Sequence, residues 1–183
     1  MRATIKITDT NVTKLVRKMI VLIDTREQEN SHIISYLEKH KIKYKYKAME
    51  CFDYSCELEK DEELGLPFDI SLINRIGIER KGSGKSGLSE LAGNFTTSRN
   101  AFEEKWQKAK YNTESLYLVV ENGSWEDIKN GNYRSNFASN SFCNSLISWR
   151  HKYGFQIDFV KTENTAEHIV RLLADKLKKV LQE

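Results

Sequence analysis

The sequence is poor in several features that would define a class. It has one proline, Pro67, and no low-complexity stretch, internal repeat or internal linker. Its three cysteines, Cys51, Cys56 and Cys143, form no Cys-x-x-Cys pair, which argues against a disulfide framework and against a zinc site. The four histidines, His32, His40, His151 and His168, are scattered and have no partner at ligand spacing. A metal site would therefore be built from carboxylates, which select hard cations such as Mg²⁺ or Mn²⁺. No apolar run is long enough to span a bilayer, and the first residues lack the apolar stretch of a signal peptide. A soluble, cytoplasmic chain with no membrane partner is expected.

What is present fits one globular domain. Of 183 residues, 39% are hydrophobic and 30% charged, enough for a core and a well-solvated surface. The net charge of +3 permits a nucleic-acid partner without requiring one. Residues 1–18 are weakly patterned and read as a strand or an arm. Met19 to Ile23 is short, apolar and rich in branched residues, the signature of a buried strand. It ends abruptly in Asp24-Thr25-Arg26-Glu27, and such strand ends are where sites form in open α/β sheets. A helix with Ile33, Ile34 and Leu37 inward follows, then an alternating lysine-rich strand from Ile42 to Ala48.

Asp53 sits between two aromatics at the start of a predicted strand, and Ile70 to Lys81 is extended, with a break at Asn74-Arg75. Helices are predicted from Leu88 and from Ser98, the second with Phe102, Trp106 and Ala109 on its core face. Leu116 to Val120 is another buried strand. A short helix from Ser124 to Lys129, a helix from Ser141 to Tyr153 with Phe142, Leu146 and Trp149 inward, a strand at Gln156–Val160 and a last helix over 164–182 complete an alternation that predicts an α/β domain with a mixed sheet covered on both sides. In the last helix Ile169, Leu173, Leu177 and Val180 are apolar. They would either cap the sheet or form a homodimer surface.

The chemistry centres on Ile76-Gly77-Ile78-Glu79-Arg80-Lys81. In a strand, Glu79 and Lys81 share one face and Arg80 takes the other. A carboxylate beside an ammonium is a plain ion pair in many sheets. It also suits a metal-dependent nuclease, where the acid holds a cation and the lysine steadies a hydroxide or a phosphate oxygen. Gly82 to Gly87 contains Gly-Lys-Ser, but the phosphate-binding loop needs a glycine where Glu79 stands, so no nucleotide cofactor is expected. Asp24, Asp53 and Glu79 all lie at or near strand ends and are expected as metal ligands.

These motifs, in this order, resemble the XPF nuclease family of structure-selective endonucleases. Its members have Asp-x-Arg-Glu after a hydrophobic strand, then Gly-Asp-Tyr, then Glu-Arg-Lys. Here they are Asp24-Thr25-Arg26-Glu27, Phe52-Asp53-Tyr54 and Glu79-Arg80-Lys81. Ser89-Glu90-Leu91 is similar to the family's Asp-Leu segment, and Arg99 matches its helix-borne arginine. The likeness spans roughly residues 20–160. It departs from the pattern at Phe52, in the spacing after Lys81 and at Glu90. The resemblance implies a restriction-endonuclease-like fold and a Mg²⁺- or Mn²⁺-dependent DNA endonuclease that prefers branched or flapped DNA, in repair or recombination. It implies Asp24, Glu27, Asp53, Glu79 and Lys81 as catalytic residues, and Arg26, Arg80, Lys85 and Arg99 as DNA contacts. It further suggests a nuclease domain without the family's tandem helix-hairpin-helix, similar to phage or bacterial members. The alternative from another class is a catalytically silent DNA-binding module or heterodimer subunit.

Overall fold

The computed structural model describes residues 7–82 and 86–183. The stretch expected as a strand or arm holds instead a helix, α1 (Asp9–Val16), capped by the Thr8 side chain on the backbone N–H of Asn11. Two apolar residues at helical spacing, Val12 and Leu15, are buried, a face too short to stand out as a period. The predicted buried strand is β1 (Ile20–Ile23), followed by α2 (Ser31–Lys39) and the exposed β2 (Lys43–Tyr46). Next come β3 (Tyr54–Leu58), β4 (Ile70–Ser71) and β5 (Ile76–Lys81). The helices α3 (Gly87–Phe95) and α4 (Arg99–Asn112) lead to β6 (Ser115–Glu121). The chain ends with α5 (Trp125–Asn130), α6 (Ser139–Tyr153), β7 (Gln156–Val160) and α7 (Thr162–Gln182).

The strands form one mixed sheet in the order β2-β1-β3-β5-β6-β7, with β4 paired to β3. β1 and β2 are parallel, as are β5, β6 and β7, whereas β3 runs antiparallel to β1 and to β5. The start of β3 therefore lies at the same sheet edge as the ends of β1, β5 and β6.

Alternation divides the core. One face carries Val21, Ile23, Tyr54, Ile76, Ile78 and Val119 against α1, α2 and α7. The other carries Leu116, Leu118 and Val120 against α3, α4 and α6. Phe102, Trp106 and Ala109 are buried there, as their spacing predicted. The α7 stripe read as either a cap or a dimer surface is a cap. Ile169, Leu173 and Leu177 are buried in the first core, and Val180 packs against it. Among the described residues no helix is long and apolar enough to cross a membrane.

Candidate active site

The backbone ladder brings the expected acids to one row. Asp24 N–H donates to the Asp53 carbonyl at 2.8 Å, and Asp53 N–H donates to the Ile78 carbonyl at 3.0 Å. Asp53 thus stands between the end of β1 and the end of β5, level with Asp24 and Glu79. Asp53 Oδ2 accepts the Arg80 N–H at 2.7 Å, which fixes its carboxylate against β5.

The aromatic before Asp53 explains how this turn forms without the family's glycine. Phe52 is buried, and its ring lies where a side chain at position 77 would be. A Cβ on Gly77 would come within 2.2 Å of Phe52 Cδ2. The small residue is on the neighbouring strand, and the bulk precedes the aspartate.

The side chains of this row then diverge. Asp24 is closed off: Oδ1 accepts from Arg26 N at 2.9 Å and Arg26 Nε at 2.7 Å, and Oδ2 accepts from Met49 N at 2.7 Å and Arg26 Nη2 at 3.2 Å. Burial alone would raise its carboxyl, but these hydrogen bonds outweigh it and hold the group below the usual carboxylate range. Arg26 is otherwise exposed and also donates to the Met49 carbonyl at 2.6 Å. Both Asp24 oxygens are engaged within this loop.

Glu79 and Lys81 share a face, as expected from strand alternation. Lys81 Nζ lies 2.8 Å from Glu79 Oε1 and donates to Glu90 Oε1 at 2.9 Å. It also sits 5.3 Å from the centroid of the Phe102 ring. Glu90 reaches this position because α3 begins hard against β5: a Cβ on Gly87 would lie 2.1 Å from the Lys81 carbonyl oxygen. Glu90 Oε2 accepts from Gly82 N–H at 3.1 Å. Glu90 therefore braces Lys81.

A further residue, not singled out from the sequence, completes the cluster. Lys105 on α4 forms an ion pair with Glu79 Oε2 and lies 3.8 Å from Asp53 Oδ1. Glu79 is buried, and each of its carboxylate oxygens meets one ammonium, Oε1 that of Lys81 and Oε2 that of Lys105. Lys105 is three residues beyond Phe102, so one helix face supplies both the ring under Lys81 and the second ammonium.

The electrostatics follow from crowding. Burial and the Glu79 charge push the Asp53 carboxyl up to about 7. Burial would raise Glu79 too, but the Lys81 and Lys105 ammoniums hold it below its ordinary value. Lys81 is raised despite burial, because Glu79 and Glu90 stabilise its charge. It is an ammonium at neutral pH and cannot accept a proton in this state.

Arg80 and Glu27 belong to the other face. Arg80 is buried and donates from Nε to Glu27 Oε1 at 2.8 Å, from Nη1 to Glu121 Oε1 at 3.2 Å and from Nη2 to the Glu29 carbonyl at 2.9 Å. His32 Nε2 is 2.8 Å from Glu121 Oε1, Thr162 donates to Glu121 Oε2 at 3.2 Å, and Tyr54 donates to Glu27 at 3.2 Å. This network holds the buried Arg80 guanidinium and takes up the Glu27 carboxylate. Arg99 is exposed, its guanidinium 5.4 Å from the centroid of the Trp149 ring. Lys85 lies outside the described residues. Among the described residues no three His, Cys, Asp or Glu side chains form a ready metal cage.

Comparison with known proteins places this geometry in context. No curated protein matches the chain. The solved structure of XPF from Aeropyrum pernix is similar, with 21% identity and a TM-score of 0.59 over 84% of this chain and 59% of that one. XPF from Aeropyrum pernix in complex with DNA gives 21% identity and a TM-score of 0.59 over 88% and 66%. The chain thus spans less than two thirds of the length of either structure, and the likeness at this identity is one of fold. The family model of the ERCC4 domain matches residues 23–172, a span that contains the Asp24, Asp53 and Glu79 row together with Lys81 and Lys105. With most of its length matched, this chain belongs to the ERCC4 domain family.

Proposed function

We propose that the chain is a divalent-metal-dependent DNA endonuclease of the XPF type, hydrolysing phosphodiester bonds at the Asp53–Glu79–Lys81 cluster. The carrying observation is that Glu79 Oε2 and Asp53 Oδ1, carboxylate oxygens on adjacent strands, face one ammonium, that of Lys105. Two carboxylates on adjacent strands suit a hard cation that keeps waters or takes substrate oxygens at its other positions, as Mg²⁺ commonly does. Mn²⁺ fits the same donors. Asp53 and Glu79 would hold this cation, and Asp24, engaged by Arg26 and Met49, would set the loop beside them.

A bound divalent cation would supply polarisation of the scissile phosphate and activation of a water. The chain's own residues do the rest. Lys81, charged and braced by Glu90, offers a fixed positive charge to a phosphate oxygen or to the attacking hydroxide. In this role it orients and stabilises. Arg99 and Arg26 are exposed and suit contacts to the sugar-phosphate backbone, which position a duplex without reading sequence. A preference for DNA structure over base identity follows. The solved relative bound to DNA supports a DNA substrate for this chain.

The test is a panel of duplex, flap, splayed-arm, Holliday-junction and single-stranded DNA, with Mg²⁺, Mn²⁺ or EDTA. Cutting of branched substrates with either metal and none in EDTA is expected. Glu79→Gln should lower the rate by about 100-fold or more while the protein stays folded. Undiminished cutting in EDTA would overturn the cation site, and no cutting of any substrate by the folded protein with either metal would overturn the activity.

A further inference from the structure

We infer that Lys105 is a tethered counter-cation of the Asp53–Glu79 pair: it holds the two carboxylates together in the metal-free protein and yields its place when a divalent cation binds. The inference rests on the pair being a cation site, as proposed above.

One ammonium serves both acids, paired with Glu79 Oε2 and 3.8 Å from Asp53 Oδ1. Without it, two carboxylates in one recess would repel each other and lose solvation with only Lys81 to compensate. Both partners of the Lys105 ammonium belong to this pair, so its departure leaves no other acid unpaired. A divalent cation in the same place would offer the two carboxylates a stronger charge.

The two lysines differ in a way that says which one can leave. Lys81 is 8% exposed and enclosed by Glu79, Glu90 and the Phe102 ring. Lys105 is 26% exposed, on a flexible four-carbon stem. Its helix is anchored independently, because the neighbouring Trp106 is buried in the second core. The side chain can therefore swing outward without disturbing α4, whereas Lys81 has nowhere to go.

Lys105→Met keeps the length and helix preference of the side chain and removes the charge. Calorimetric titration of Mn²⁺ into wild type and Lys105→Met should show affinity at least about tenfold tighter in the variant, since no positive charge need be displaced. In EDTA, Lys105→Met should melt below wild type, and saturating Mn²⁺ should close the gap. Glu79→Gln introduced into Lys105→Met should recover melting temperature in EDTA, because an amide needs no counter-cation. Lys105→Gln serves as a second neutral variant should Lys105→Met lose its native circular dichroism.

Each failure is distinct. Mn²⁺ binding of equal or weaker affinity in the variant would overturn displacement and leave the cation site standing. Absence of Mn²⁺ binding in both folded proteins would overturn the cation site and displacement with it. Additive losses of melting temperature for Lys105→Met and Glu79→Gln in EDTA would overturn the counter-cation role itself.

Discussion

Glu79 and Arg80 are neighbours in one strand, yet they belong to opposite kinds of charge cluster. Beneath α2 and α7, Arg80 meets Glu27, Glu121 and the Glu29 carbonyl, and His32, Thr162 and Tyr54 complete the carboxylates. Beneath α3 and α4, Glu79 meets two ammoniums, one at each oxygen. The difference lies in the cations. A planar guanidinium presents a fork of donors that matches carboxylates and closes a network; an ammonium is a point charge on a flexible stem. The closed cluster ties strand ends together, and the open one is held by point charges on side-chain stems. A pair of adjacent charged residues thus says little about function until the partners on each face are known.

The contrast breaks first at Arg80. Arg80→Met should leave Glu27 and Glu121 buried without their shared cation and destabilise the protein by about 3–5 kcal/mol. In a chain of this size that is a fall of roughly 6–20 °C in melting temperature, which calorimetry would detect. Excess Mn²⁺ should not restore it. Recovery of stability by a divalent cation would mean that the network is a second cation site and that the two faces are alike.

A smaller effect sharpens the open face. Gly77→Ala would drive a methyl group into the Phe52 ring, and overpacking of this kind costs about 1–3 kcal/mol. Because Phe52 precedes Asp53, cleavage should fall at temperatures where the variant remains folded, whereas an equally destabilising change in the α7 core should spare it. Equal activity per folded molecule in the two variants would detach Phe52 from the placement of Asp53.

The finest distinction concerns Asp24, which sits in the row of the open face but is bonded like the closed one. Its carboxyl is held below the ordinary range in the folded chain, so its contribution is present above the unfolded value and is lost as pH falls through the folded one. Asp24→Asn should lower stability by about 1–3 kcal/mol at neutral pH, and the gap to wild type should shrink as pH drops below about 4. Melting curves across pH 3–8 would measure this. A gap unchanged at the acid end, or one that saturating Mn²⁺ closes at neutral pH, would place Asp24 with the cation ligands.

The strands were legible because short branched runs between polar breaks have few other readings, and Glu79 and Lys81 were legible as a pair because alternation is geometric. The helix over Asp9–Val16 was not, since it buries just two residues of its own and relies on α7 to cover them. Lys105 was hidden among Lys108 and Lys110 on a lysine-rich helix, where nothing local marks the one that faces an acid 26 residues before it. Arg80 looked like a phosphate contact because its motif is charged, and only the packing of α2 and α7 turned it into a buried tie. Phe52 in place of glycine looked like a disturbed turn until Gly77 proved to be its complement across the ladder.

The sequence alone determined the alternation of elements, the two faces of β5, the core stripes of α4 and α7 and the presence of acids at strand ends, because each follows from periodicity along the chain. Which acids stand side by side, which ammonium faces both of them and which arginine is buried were decided by the antiparallel insertion of β3 between β1 and β5 and by the seating of helices on each face. Those distances join residues far apart in the chain, and no local preference encodes them.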